Sequence, residues 1–321
     1  MQLLKQFYIL IIFFNVVAWG VALLFSSNEF VQLGFCVVAY TLGLRHAFDA
    51  DHISTIDNLT RKLIEERKNP QMVGFFFSLG HSTVVIILSL LVAILSEKVF
   101  SNFEIFKKVG SIIGGGFSVF FLSLISLLNI YLFFQVIKRI YLLKKNKVIL
   151  TQSHSLAISN SFTNKLFRYI NKNYQIYFVG FIFGLGFDTA TEIALLGMSS
   201  SQTIYGIHWW YILILPILFT SGMCLVDTTV SLLSLITCRY AVINHKVGGY
   251  FNLFITLFIS FTGLGIATCE FFHVSTLGKN KLPQLWNSVE LVINHFGEVG
   301  IFITFVLLIS WMSMKYLVRS V

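Results

Sequence analysis

The sequence predicts an all-α integral membrane protein, and two observations carry that prediction. Hydrophobic residues make up 56% of the 321 and Asp, Glu, Lys and Arg only 12%. That is about half the charged share of a soluble domain, and more apolar surface than one water-soluble core hides. The apolar residues also fall in continuous runs of at least about 20 residues, the length a helix needs to cross a bilayer. A transmembrane barrel would instead alternate polar and apolar residues over about ten positions.

Eight runs qualify, at about 7–25, 33–58, 72–96, 109–137, 176–198, 209–236, 247–272 and 291–314, and they are numbered here as predicted helices 1 to 8 of a single transmembrane domain, 1–321. Lys5 precedes helix 1 as in a signal peptide, but the run from Phe7 to Phe25 is too long for an h-region and lacks a small-x-small cleavage site, so a retained helix is expected. Helix 2 carries the densest polar cluster of the chain, RHAFDADH from Arg45 to His52, with Asp57 nearer its end. Helix 3 holds Gly80, His81, Ser82 and Thr83, helix 5 holds Asp188, Thr189, Thr191 and Glu192, and helix 6 holds Thr220, Asp227, Thr228 and Thr229. Pro216 removes a backbone donor and is expected to kink helix 6 toward the centre. Helix 1 adds Asn15, whereas helices 4 and 8 carry almost no polar side chains and read as peripheral or structural. A site built by helices 1, 2, 3, 5 and 6 follows.

Orientation comes from the basic residues. With a cytoplasmic N-terminus, 17 of the 23 Lys and Arg fall on inside segments and five outside, Arg45 being within helix 2. Both termini are therefore expected in the cytoplasm. The net charge of +9 reflects this bias and the loop 138–174, which has eight basic residues and no acid. Contact with anionic lipid headgroups, or a solvated connector, accounts for that loop, and nucleic acid is not indicated. Cys36, Cys224, Cys238 and Cys269 show no C-x-x-C spacing and read as packing residues.

Ionisable side chains in hydrocarbon cost roughly 2.5–3.5 kcal/mol each on insertion scales, so five of them in RHAFDADH mark a functional site by default. At 100° per residue, His46, Asp49 and His52 share an arc of about 120°. Asp51 points elsewhere: it pairs with Arg45 or His81, or helix 2 unwinds so that Asp51 and His52 face one cavity, as interrupted helices do at transport sites. Imidazoles and carboxylates without a thiolate set suit late first-row divalent ions such as Ni, Co, Zn or Cu better than Mg or Ca. The candidate ligands are His46, Asp49, Asp51, His52 and His81. Asn15, Arg45, Ser82, Asp188, Thr189, Thr191, Glu192, Asp227 and Thr228 are candidates for the pathway and for orienting the ligands.

RHAFDADHI, with GHSTVV at 80–85, LGFDTATEI at 185–193 and LFTSGMCLVDTT at 218–229, resembles the motif set of the NiCoT family of bacterial nickel/cobalt permeases, of the high-affinity nickel-uptake kind. The resemblance implies eight helices, cytoplasmic termini and uptake of Ni²⁺ or Co²⁺ across the bacterial cytoplasmic membrane. It also implies that His46, Asp51 and His52 are essential and that the helix 1 Asn lies near the helix 2 His. Family members commonly continue the helix 6 motif with an aspartate and a glycine, where this chain has Val230 and Ser231. Either that carboxylate is not a ligand, the reading favoured here, or ion release or selectivity is altered. Phe-Asp recurs at 48–49 and 187–188, on helices separated by three crossings, which suggests that helices 2 and 5 are inverted counterparts flanking a central ion.

No G-x-x-x-x-G-K-[ST] loop is present, so no ATP hydrolysis, ATPase subunit or resident cofactor is expected, and the metal is cargo. A divalent cation crossing about 100 mV, inside negative, gains roughly 4.6 kcal/mol, which alone sustains uptake. The alternative is an intramembrane metalloenzyme or metal-ion channel using the same cluster, but no H-E-x-x-H occurs. Imidazoles must be neutral to bind metal, and their reference pKa is about 6.5. Metal uptake at fixed membrane potential is therefore expected to fall as pH drops from about 7.5 to about 5.5; a steady rise over that interval counts against imidazole ligation.

Overall fold

The computed structural model describes residues 2–25, 30–65, 70–94, 114–131, 173–186, 190–204, 212–243, 247–274 and 295–319, with a few isolated positions between them. Among these the regular elements are all helical: α1 (Gln2–Phe25), α2 (Phe30–His46), α3 (Ala50–Glu65), α4 (Val73–Ile94), α5 (Gly114–Tyr131), α6 (Ile176–Phe183), α7 (Ala190–Ile204), α8 (Ile214–Ile243), α9 (Val247–Val274) and α10 (Phe296–Arg319). A single 3-10 turn, Asn173–Gln175, leads into α6. Of the described helices, α1, α4, α5, α8 and α9 are long and apolar enough to cross a membrane, and α2 with α3 makes a sixth span if their bent pair is one crossing. α10 contains a shorter apolar stretch, Gly297–Ile309. The protein is a multi-pass membrane protein.

Predicted helix 2, drawn as one run over 33–58, is two helices whose axes meet at 54°. The break has a backbone cause. The amides of Phe48 and Asp49 turn back to the carbonyls of Arg45 and His46, three residues before them, at 3.0 and 2.9 Å, which ends α2. Helical bonding resumes where the Ile53 amide donates to the Asp49 carbonyl at 3.2 Å. Predicted helix 5 is interrupted as well. After α6 the amides of Leu185 and Gly186 bond to Ile182 and Phe183, again three residues back, and α7 starts at Ala190, with 187–189 outside the described residues. The basic loop lies outside them too, apart from its last two residues in the 3-10 turn.

α8 starts at Ile214, so Pro216 sits in the first helical turn, where a missing N–H has no intrahelical partner to lose; residues 209–211 of predicted helix 6 lie outside the described residues.

α8 is the hub, touching α1, α2, α3, α4, α9 and α10. α1 lies at the edge, with Ile9, Phe13 and Leu24 exposed to what would be lipid. α3 is its opposite: every residue from His52 to Leu63 is buried, charged Asp57, Arg61 and Lys62 included. Arg61 Nε donates to Asp57 Oδ2 at 2.6 Å, so two of those charges meet one turn apart. Two apolar clusters flank the centre, one joining α3, α4, α5, α6, α9 and α10 with Val230 of α8, the other joining α1, α2, α7 and α8 with Val85 of α4.

Between apolar helices in lipid there is little hydrophobic drive to associate, so close packing at small residues supplies much of the attraction. α4 and α6 show this: a Cβ placed on Gly80 would collide with the Tyr177 carbonyl oxygen, and one on Gly180 with that of Phe77. Each helix thus presents a glycine to the other's backbone. Replacing Gly180 with leucine is expected to destabilise the detergent-purified protein by about 1–3 kcal/mol or more, read as a lowered unfolding midpoint. Gly20→Leu, at a position with open space around it, leaves the midpoint within error.

Candidate metal centre

His46 is the last residue of α2, His52 sits in the first turn of α3, and His81 lies mid-way along α4. On an unbroken helix the Cα atoms of His46 and His52 would stand about 9 Å apart along the axis and about 120° apart around it. The bend between α2 and α3 folds them together instead. The ring centroids form a nearly equilateral triangle, His46–His52 4.6 Å, His46–His81 4.8 Å and His52–His81 4.7 Å. All three are buried, and one ring nitrogen from each lies within 4.8 Å of the other two. His46 Nε2 and His81 Nε2 are 3.0 Å apart. Two nitrogens each about 2.1 Å from one ion, at about right angles, have that separation.

Carboxylates and hydroxyls of other helices complete the arrangement. Glu192 of α7, 1% exposed, brings Oε1 to 2.8 Å from His81 Nε2 and 3.8 Å from His46 Nε2, so its oxygen shares the point where those nitrogens converge. On the far side of the His46 ring, Nδ1 is 3.0 Å from Asp49 Oδ2 and 3.1 Å from Thr191 Oγ1. With Nδ1–H donated to Asp49, Nε2 keeps its lone pair for a cation, which is how carboxylates orient metal-binding imidazoles. His52 Nδ1 lies 3.7 Å from Asp227 Oδ2, and Ser78 Oγ donates to the same oxygen at 2.6 Å. Phe77 meets the His52 ring edge-on at 5.0 Å and Phe219 tilts against His46 at 5.5 Å, closing the apolar sides.

Asp51 is half-buried and accepts the His52 amide through Oδ1 at 2.9 Å, so it caps the start of α3 while lining the same cavity as the three imidazoles. Of the two readings weighed for it from sequence, the interrupted helix matches this arrangement. Ser82 and Thr228 are buried, and their hydroxyls have no hydrogen-bond partner among the described residues. Arg45 has an exposed side chain beside Gly297 of α10. Asn15 donates to the carbonyls of Ile11 and Ser221 and accepts from Tyr40, fastening α1 to α2 and α8. Among the described residues, none of these bonds reaches an imidazole of the cluster. Asp188 and Thr189 lie outside the described residues. Val230 is buried in an apolar cluster, a packing position.

The cavity's lining includes residues that reading the sequence missed: Gly114, Gly115 and Ser118 of α5, Gly186 after α6, and Glu270 of α9. Of the two readings of helix 4, peripheral or structural, the peripheral one does not fit, because Gly114, Gly115 and Ser118 line the cavity. Helix 8 fits the structural reading: Gly300 of α10 packs on the Phe48 backbone at the break between α2 and α3. For Glu270 the signal was available, as a lone acid within the apolar span Ile255–Phe272. None of the four cysteines is in a disulfide.

The family model of high-affinity nickel-transport proteins, NicO, matches residues 32–316. The chain is 35% identical to the high-affinity nickel transport protein of Cupriavidus necator over 95% of its own length and 88% of the other's. It is 35% identical to the high-affinity nickel-transport protein NixA of Helicobacter pylori, over 94% of each chain. The cobalt transport protein NhlF of Rhodococcus rhodochrous is 36% identical over 66% of this chain and 64% of its own. No solved structure matches it. These relatives are transport proteins, not enzymes. The chain belongs to the NicO family of high-affinity nickel-transport proteins.

Proposed function

We propose that the protein imports Ni²⁺, with Co²⁺ as a second cargo, across the bacterial cytoplasmic membrane, holding the ion at His46, His52 and His81. The observation that carries this reading is the buried triangle of imidazoles from two broken half-helices and a third helix. Glu192 and Asp51 supply negative charge and oxygen donors beside it. Asp49, Thr191 and Asp227 orient the rings. Relatives named for nickel cover nearly the whole chain and one named for cobalt covers two thirds of it. A nitrogen and oxygen donor set binds Ni²⁺ above Co²⁺ in the general affinity order, so nickel is placed first.

In this reading the chain crosses the membrane eight times with both termini in the cytoplasm, and the two interrupted segments, predicted helices 2 and 5, flank the ion as inverted counterparts. Both Phe-Asp pairs support that pairing, since Phe48-Asp49 lies in one interruption and Phe187-Asp188 falls in the sequence of the other. Asp188 and Thr189 are assigned to the cation's path with Arg45, Ser82 and Thr228, and Asn15 to anchoring helix 1. The hydrated ion enters from outside, exchanges water for imidazole nitrogen, and leaves when the two halves rock past each other, driven by the membrane potential.

Radioactive Ni²⁺ uptake into proteoliposomes with an imposed potential tests the reading. His46→Ala, His52→Ala and His81→Ala are each expected to lower uptake at least about tenfold, and Asp49→Asn about 10- to 100-fold, the usual cost of removing a ligand's orienting partner. Uptake by wild type saturates at low concentration and is competed by Co²⁺, whereas a channel would not saturate. Undiminished import after His46 and His52 are both replaced by alanine would overturn the assignment.

A further inference from the structure

We infer that Glu270 of α9 is a carboxylate of the cation's path, steadied by Ser118 of α5 and acting on the ion in the same cavity as the imidazoles. The inference rests on the reading that this cavity takes Ni²⁺, and it brings in a helix that none of the four sequence motifs touches.

Glu270 is 8% exposed and lies inside a stretch apolar enough to span the bilayer, where an ionisable side chain is among the costliest placements. It lines the cavity together with Asp51 and the three histidines. Ser118, 3% exposed, donates to Glu270 Oε2 at 2.8 Å and lines the same cavity. The serine fixes the carboxylate without neutralising it, because its hydroxyl brings a dipole and no charge. Its placement is built in by the backbone: Gly114, one helical turn before Ser118, packs so tightly on Gly186 that a Cβ there would collide with it. α5 thus approaches the end of α6 as closely as glycine allows, and that approach sets Ser118 opposite α9. A second observation marks the cavity as a place for a ligand: His81, 3% exposed and in its lining, has an Nδ1 with no hydrogen-bond partner among the described residues.

The competing account is a packing hydrogen bond between α5 and α9. Such a bond needs only a neutral acceptor, and glutamine would serve as well at lower cost in lipid. A carboxylate beside three neutral imidazoles instead does what the imidazoles cannot: it contributes net negative charge to a divalent ion that has shed water, in surroundings that screen charge weakly.

Glutamine therefore separates the two accounts, since it keeps the bond to Ser118 and removes the charge. Initial rates of radioactive NiCl₂ uptake are to be measured in proteoliposomes holding equal amounts of wild type, Glu270→Gln, Glu270→Asp, Ser118→Ala and His46→Ala. Glu270→Gln is expected to raise the KM for Ni²⁺ about tenfold, Glu270→Asp to return it to within about threefold of wild type, and Ser118→Ala to raise it about threefold. A Glu270→Gln protein whose KM is within twofold of wild type overturns the inference, as does equal loss in the Gln and Asp variants with a lowered yield of folded protein. If His46→Ala takes up nickel like wild type, the site assignment itself has failed, whatever Glu270 does.

Discussion

Everything in this molecule depends on an interrupted helix held at membrane depth. A break in a bilayer-spanning helix leaves backbone donors and acceptors that lipid will not satisfy, so it persists only where protein covers it. Here the turn at Ala47, Phe48 and Asp49 satisfies its own amides by bonding back three or four residues. The Asp51 side chain accepts the His52 amide, and Gly300 of α10 lies against the Phe48 backbone. Only because the break is covered do His46 and His52 meet. Without it they would stand about two turns apart on one helix, too far to hold one ion.

The break also arranges charge. A helix C-terminus presents carbonyls and carries partial negative charge, and an N-terminus carries partial positive charge. α2 ends at His46, so its negative end lies beside the cluster, a suitable setting for a cation. α3 begins on the same side and turns its positive end inward, and the sequence answers with acids at its start: Asp49 just before the helix and Asp51 in its first turn. α7 likewise starts near the cluster and places Glu192 in its first turn. Two of the three half-helix ends are therefore ones that would repel a metal ion, and each carries a carboxylate that reverses its sign. The placement of acids in this chain follows from helix polarity as much as from ligand chemistry.

Much of this was legible in the sequence. The membrane class and the prominence of the polar cluster at 45–52, of His81 and of Glu192 follow from the cost of placing such residues in apolar runs. What the sequence hid was of two kinds. A hydropathy run does not place a helix interruption: unwinding of helix 2 is only one of the readings that Asp51 raises, and the apolar Gly184-Leu185-Gly186 leaves helix 5 reading as continuous. Backbone approaches are equally silent: Gly114 against Gly186 and Gly300 against Phe48 shape the site without any side chain. Pro216 falls in the first turn of α8, where a proline is tolerated. Asn15 is legible as a buried polar residue, but its role depends on Tyr40 and Ser221, which no local pattern connects to it.

A carrier must be stable empty as well as loaded, and the geometry of this cluster bears on that requirement. Three buried imidazoles and two buried carboxylates without partners would be costly, because desolvated polar groups lose their hydrogen bonds to water. Here some of them bond to one another: His46 Nε2 faces His81 Nε2, Glu192 reaches His81, and Asp49 with Thr191 holds the other side of His46, while Nδ1 of His52 and of His81 has no hydrogen-bond partner among the described residues. On the proposed function, a cation binding here would exchange these bonds for metal–ligand bonds, so part of the coordination energy would go to replacing contacts already present. The net affinity is lowered by that exchange, and the ion's departure restores the internal bonds. A site built this way favours release over trapping, the balance that a transport site needs and a structural metal site does not.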